Sequence, residues 1–200
     1  MGTNPITICR THLNRLLGVV LVSGTLGTIV SPGPVSGTEP QQAYAPSGAE
    51  PAPTTLRGPA CAVDGDTLMF GATGGPGRCR GGTEVHLRGI DAPEFAQKCS
   101  AEWYFTFACG RSAKSQLAKR LRNQVVTCTA RPAGRKKGLA GECFTDGENL
   151  NAAMVSSGWA LRTPGASGAY AVPERKAREA RRGLWGTQFV PPWMWRRKAS

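Results

Sequence analysis

Histidine is nearly absent from this 200-residue chain, with only two, His12 and His86. No Cys-x-x-Cys pair accompanies them, so a zinc site lacks its usual ligand spacing. No serine-nucleophile motif surrounds His86, which argues against a hydrolase triad. The glycine-rich stretch from Gly71 to Gly82 lacks the Gly-Lys-Ser/Thr ending and the following helix that a phosphate-cradling loop needs, and reads as a hairpin loop. The longest mostly apolar run, Leu16 to Val30, is shorter than the roughly 20 residues of a membrane-spanning helix, and Ser23, Thr25 and Thr28 interrupt it. No internal repeat is apparent. Acidic residues are scarce: 13 Asp and Glu stand against 25 Lys and Arg, for a net charge of +12, and none precedes Glu39. That balance favours a polyanionic partner such as nucleic acid, or an anionic surface.

What is present divides the chain into four parts. Residues 1–37 read as a secretory signal, with Arg10 and Arg15 before the apolar run and small residues, Val35 and Gly37, placed for cleavage after Gly37. An uncleaved anchor is the alternative. After cleavage no stable membrane insertion is expected, and the location is secreted or periplasmic. Residues 38–57 are rich in Pro, Ala and Thr without apolar periodicity and read as a disordered linker. A folded domain is expected over 58–188, followed by a Trp- and Arg-rich tail over 189–200. In that tail Trp193 and Trp195 are expected to pack back onto the domain, with the basic end solvated.

Of the 7 cysteines, Cys9 lies in the signal. An even number remains in an exported domain, which suggests disulfides. Many connectivities are possible. Pairing near neighbours gives Cys61–Cys79, Cys99–Cys109 and Cys128–Cys143, the last joining two strands that should lie side by side.

Strand patterns run over Ala60–Val63, Thr67–Phe70, Thr83–Ile90, Val125–Thr129 and Leu139–Phe144. Gln97 to Gly110 reads as an insertion packed by its own aromatics, Trp103, Tyr104, Phe105 and Phe107. Arg111 to Arg122 reads as a helix, because Ala113, Leu117 and Leu121 fall on one face. Leu150 to Ser157 is a second helix, capped by Asn149. Pro173 to Arg182 is a third, started by Pro173 and stopped by Gly183.

Two turns carry the chemistry. Val63-Asp64-Gly65-Asp66-Thr67 joins two strands through an Asp-Gly turn. Val85-His86-Leu87-Arg88-Gly89-Ile90-Asp91-Ala92-Pro93-Glu94 ends a strand in an extended Ala-Pro step loaded with acid. If their strands are neighbours, Asp66, Asp91 and Glu94 converge. Such carboxylates call for a positive charge among them, and a hard divalent cation with oxygen ligands suits.

These motifs resemble those of the staphylococcal nuclease family, and the likeness runs from about Cys61 to Trp185. It takes in Asp146-Gly147, Leu150 to Val155 and Gly158-Trp159-Ala160. The resemblance implies an α+β fold: a five-stranded barrel of the oligonucleotide-binding type with about three packed helices. It implies a calcium ion held by Asp66, Asp91 and the carbonyl of Ala92, with Glu94 as general base. It also implies two arginines that stabilise the phosphate at the transition state. Here the chain departs from the pattern. The first arginine position is His86, and Arg88 is the nearby cation on the same strand face. The second aligns with Gly138, and Arg135 is the nearest arginine. The expected catalytic set is therefore Glu94, His86, Arg88 and Arg135. The expected function is calcium-assisted hydrolysis of DNA or RNA, single-stranded by preference, by a monomer. The alternative is a catalytically degenerate module that binds nucleic acid without cutting it.

Overall fold

The computed structural model describes residues 51–73, 79–101, 105–134, 138–166 and 168–199, all within the compact unit Pro46–Ser200. The signal and most of the linker lie outside the described residues, as do Trp103, Tyr104 and Arg135. In chain order the strands begin with β1 (Thr54–Gly58), β2 (Ala60–Ala62), β3 (Thr67–Phe70), β4 (Thr83–Leu87), β5 (Ile90–Asp91), β6 (Cys99–Ala101) and β7 (Phe105–Phe107). Helix α1 (Cys109–Leu121) follows, then β8 (Val126–Pro132), β9 (Leu139–Thr145), β10 (Glu148–Asn149), α2 (Leu150–Ser156) and β11 (Leu161–Arg162). The chain continues through α3 (Ala171–Glu179) to α4 (Pro192–Ala199).

The main sheet runs β1-β8-β9-β4-β3-β2, with β10 paired to β9. All neighbours are antiparallel except β4 and β9. The curled sheet fits the oligonucleotide-binding-type fold expected from sequence, and the described residues form four α-helices, one more than the expected three.

Alternation decides which side chains face inward. Val85 and Leu87 of β4, and Val126 and Cys128 of β8, are buried while their neighbours are not. Helix α1 lays Ala113, Leu117 and Leu121 against this face. Each fully buried leucine, such as Leu68, Leu117 or Leu150, contributes about 1.5–3 kcal/mol. Cys128 and Cys143 sit opposite each other on β8 and β9 and are bridged, as are Cys61–Cys79 and Cys99–Cys109. All three near-neighbour pairings are therefore present. Asn149 caps α2 by accepting the Ala152 N–H at 2.9 Å. Two residues after the cap, Asn151 is fully buried. Its side chain bonds the Cys143 N–H and the carbonyls of Arg88 and Gly141, tying α2 to β9 and to the turn after β4.

Four sequence readings need correction. Thr54 to Arg57, assigned to the linker, form most of β1 and pair with β8 from Thr54↔Ala130 to Gly58↔Val126. Backbone bonds to a long partner strand make up for a segment in which only Leu56 packs on the core. The strand expected from Thr83 to Ile90 breaks at Arg88-Gly89, where Gly89 adopts φ +81 and the chain turns into β5. Phe105, expected to pack its insertion, is 68% exposed on a two-stranded hairpin, while Phe107 does pack inward. The tail is a helix, and its basic end is not simply solvated, as the next section describes.

Candidate active site

The Asp66 turn is built locally. Val63 and Asp64 donate their N–H groups to the Thr67 carbonyl, and the Asp64 carboxylate accepts the Gly65 N–H at 2.8 Å. Thr67 donates its hydroxyl to Asp66 Oδ1 at 2.9 Å, and the Leu87 N–H reaches the Asp66 carbonyl at 2.8 Å. The second acidic turn closes on the first through one bond: the Ala92 N–H donates to Asp66 Oδ2 at 3.1 Å. Gly65 makes this approach possible, since a Cβ there would lie 2.7 Å from that of Ala92 and 2.6 Å from that of Ala113 on α1.

Asp91 lies on β5, paired with Leu161 of β11, and is 3% exposed. Glu94 follows Pro93 in a loop pinned by Gln97. The fully buried Gln97 donates its N–H to the Glu94 carbonyl at 2.7 Å and accepts the Glu94 N–H on Oε1 at 3.3 Å. Its Nε2 donates to the Val190 carbonyl at 2.7 Å. Gly110, at the start of α1, sits on the Glu94 carbonyl so closely that a Cβ would collide with it.

The counter-charge in this cluster is Arg196 of α4. Its Nη1 and Nη2 donate to the two carboxylate oxygens of Asp91 at 2.9 and 2.7 Å, and Nη1 also donates to Glu94 Oε1 at 2.6 Å. The bonds to Asp91 and then to Glu94 hold the guanidinium above the ordinary arginine range, against the opposing effect of burial. Asp64 completes the acid group. Burial, together with the charges of Asp66 and Glu94, pushes its carboxyl up to about 7, although the Gly65 N–H and Lys114 act the other way. Neither Arg196 nor Asp64 is among the residues expected from sequence. The Arg196 pair spans 105 residues, and no local pattern marks it. Asp64 had a signal in its place two residues before Asp66, but no local pattern marks its burial.

Of the expected cations, Arg135 lies outside the described residues. His86 faces Thr67 across β3 and β4, with Nδ1 3.0 Å from the Thr67 hydroxyl oxygen and Nε2 3.2 Å from Glu84. It connects to Asp66 through Thr67. Arg88 occupies the exposed turn before Gly89, beyond the end of the strand that His86 shares. Its N–H still bonds the Gly141 carbonyl of β9 at 2.8 Å.

The donor chemistry suits a hard divalent cation, since Asp66, linked to the second turn through the Ala92 N–H, and Asp91 and Glu94, linked through Arg196, all offer oxygen. Among the described residues, however, no three acidic, His or Cys side chains are already disposed as a metal-binding group. The Asp91 oxygens are turned to Arg196 instead.

A curled sheet of this type with an acid cluster at the turn between β5 and its following loop defines a nuclease-like domain. The sequence profile described as staphylococcal nuclease homologue matches residues 84–187, slightly more than half of the chain, and the chain belongs to that family. It is also similar to a protein described as probable staphylococcal-like nuclease CAN4, from Oryza sativa subsp. japonica. The two are 29% identical over 123 residues, which is 58% of this chain and 23% of that protein. The chain thus matches less than a quarter of that relative's length. The profile match includes Asp91, Ala92 and Glu94 but neither Asp66 nor Arg196.

Proposed function

We propose that this protein is an exported phosphodiesterase that hydrolyses single-stranded DNA or RNA with the help of calcium, acting as a monomer. The observation that carries this reading is the direct bond between the two acidic turns, Ala92 N–H to Asp66 Oδ2, which places Asp66 beside Asp91 and the Glu94 loop. Three disulfides are compatible with an extracellular location. No helix among the described residues is long and apolar enough to cross a membrane.

The residues that would hold calcium are Asp66, Asp91 and the carbonyl of Ala92; bound there, the ion would polarise the phosphate and neutralise part of its charge. Glu94 accepts a proton from a water molecule whose oxygen forms a bond to phosphorus. One phosphorus–oxygen ester bond breaks as this bond forms, and the departing oxygen takes a proton from solvent. Gln97 fixes the backbone on both sides of this step, so the base starts from one position. Next to Glu94, Phe95 is 48% exposed, with Arg111 and Lys114 5.5 and 5.3 Å from its ring centre. An exposed ring with cations beside it suits a single strand, whose bases stack and whose phosphates pair.

The second reading, a module that binds nucleic acid without cutting it, draws support from the placement of His86 against Glu84 and of Arg88 in an exposed turn. Incubating the purified protein with single-stranded DNA, with calcium or with chelator, separates the two. Chelator-sensitive cleavage that disappears in Glu94→Gln supports the enzyme. Retention of the strand without cleavage supports the binding module.

A further inference from the structure

We propose that Arg196 is a catalytic arginine, delivered to the reaction centre by the C-terminal helix in place of the guanidinium groups that His86 and Gly138 do not supply. This inference rests on the nuclease reading above and assigns one more residue to that site.

A phosphate attacked by water at Glu94, beside a cation that Asp66 and Asp91 would hold, must come within hydrogen-bond reach of both sides. The Arg196 guanidinium already bridges them, with two bonds to Asp91 and one to Glu94. A planar fork that matches a carboxylate also matches two oxygens of a phosphate. Arginine also keeps its proton throughout, so the charge is present whenever the developing negative charge needs it.

The segment leading to α4 is fixed by several independent contacts. Gln188 exchanges two backbone bonds with Ser100, at 2.9 and 2.8 Å. Gln97 holds the Val190 carbonyl. Pro191 and Pro192 then start the helix, and Trp193 packs on the apolar cluster of Leu161, Leu184 and the Cys99–Cys109 bridge. Gln97 thus holds the Glu94 loop and the Arg196 segment to each other. A side chain brought in by this much fixed structure is positioned rather than trailing.

In the described state one guanidinium answers the buried Asp91 and half-buried Glu94 together. Asp91, which would also hold a divalent cation, shares its oxygens with Arg196; with those oxygens engaged by a cation, Arg196 would keep its neighbour Glu94 and have donors free for the incoming phosphate. Arg196 and the cation therefore compete for Asp91 before substrate arrives and cooperate after it.

The test compares wild type, Arg196→Ala and Arg196→Lys, with folding checked by circular dichroism melts. Cleavage of single-stranded DNA in calcium should fall about 100-fold in Arg196→Ala, the loss typical of one preorganised donor. Arg196→Lys should recover only part of it, and added free guanidinium should raise the rate of Arg196→Ala. Calcium titration by calorimetry should show tighter binding to Arg196→Ala, because the competing cation has gone. Tighter calcium with faster cleavage would make Arg196 a plug and overturn the proposal. Unchanged rate and unchanged calcium affinity would make it a surface ion pair and also overturn it. If Arg196→Ala does not fold, a wild-type rate from Arg196→Lys overturns the proposal and a reduced one supports it. Wild type that cleaves nothing would remove the nuclease reading by itself. Affinity for a single-stranded oligonucleotide at fixed calcium then decides for Arg196: about a tenfold loss in Arg196→Ala supports phosphate contact, and equal affinity refutes it.

Discussion

Replacing Gln97 by methionine keeps the volume of a fully buried side chain and removes its hydrogen-bonding ability. Two bonds go: the one accepted from the Glu94 N–H and the one donated to the Val190 carbonyl. Both backbone partners belong to half-buried residues, and each unsatisfied group costs about 1–3 kcal/mol. The Gln97 backbone bonds to Glu94 and Gly110 survive, so the loop is loosened rather than lost. The expected destabilisation is about 2–6 kcal/mol, read as a lower urea midpoint at unchanged slope. Because the same side chain positions Glu94 and the segment leading to Arg196, cleavage under conditions where the variant remains folded should fall more in kcat than in KM. A change below about 1 kcal/mol would mean water replaces both bonds, and the assignment of Gln97 as the clasp of the site would fail.

Asp64→Asn should stabilise the protein in calcium-free buffer, increasingly so from acid to neutral pH. The folded carboxyl titrates at about 7 against 3.8 for the ordinary group, so the folded state holds its proton longer. Its contribution to stability is complete below the unfolded value and is lost as pH rises through the folded one, up to about 4 kcal/mol; a wild-type and variant difference that is flat from pH 4 to pH 8 in thermal melts would refute this. Gly110→Ala should push α1 off the Glu94 carbonyl and cost about 1–3 kcal/mol as an overpacked contact, seen as a fall in Tm; an unchanged Tm would contradict the close approach. Phe95→Ala should weaken single-stranded oligonucleotide binding by about 1–3 kcal/mol with little change in stability, if bases stack on this ring. Equal affinity in fluorescence anisotropy would remove Phe95 from the substrate path.

The parts of this architecture legible in the sequence are those with local causes. The Val63–Thr67 turn bonds within itself through Thr67 and Asp64. The inward face of α1 follows from helical spacing, and Asn149 caps α2 three residues from its partner. The disulfides join neighbours in sequence, 10 to 18 residues apart. The misread parts have distant causes. Strand β1 holds because β8, some 70 residues further on, offers a free edge to a segment with little apolar character. Arg88 leaves its strand because Gly89 takes a positive φ and Asn151 captures the Arg88 carbonyl. Arg196 looks like one cation in a basic run, and only the docking of Gln188, Val190 and Trp193 makes it part of the acid cluster.

The central claim is that two acidic turns, joined by the bond from Ala92 to Asp66, form one cation site with Glu94 beside it. Calorimetric titration of calcium into the purified protein, in the presence of a single-stranded oligonucleotide, measures this directly. The account predicts uptake of one calcium ion per chain that is lost in both Asp66→Asn and Asp91→Asn. No uptake by wild type, or uptake unaltered by either substitution, would contradict it.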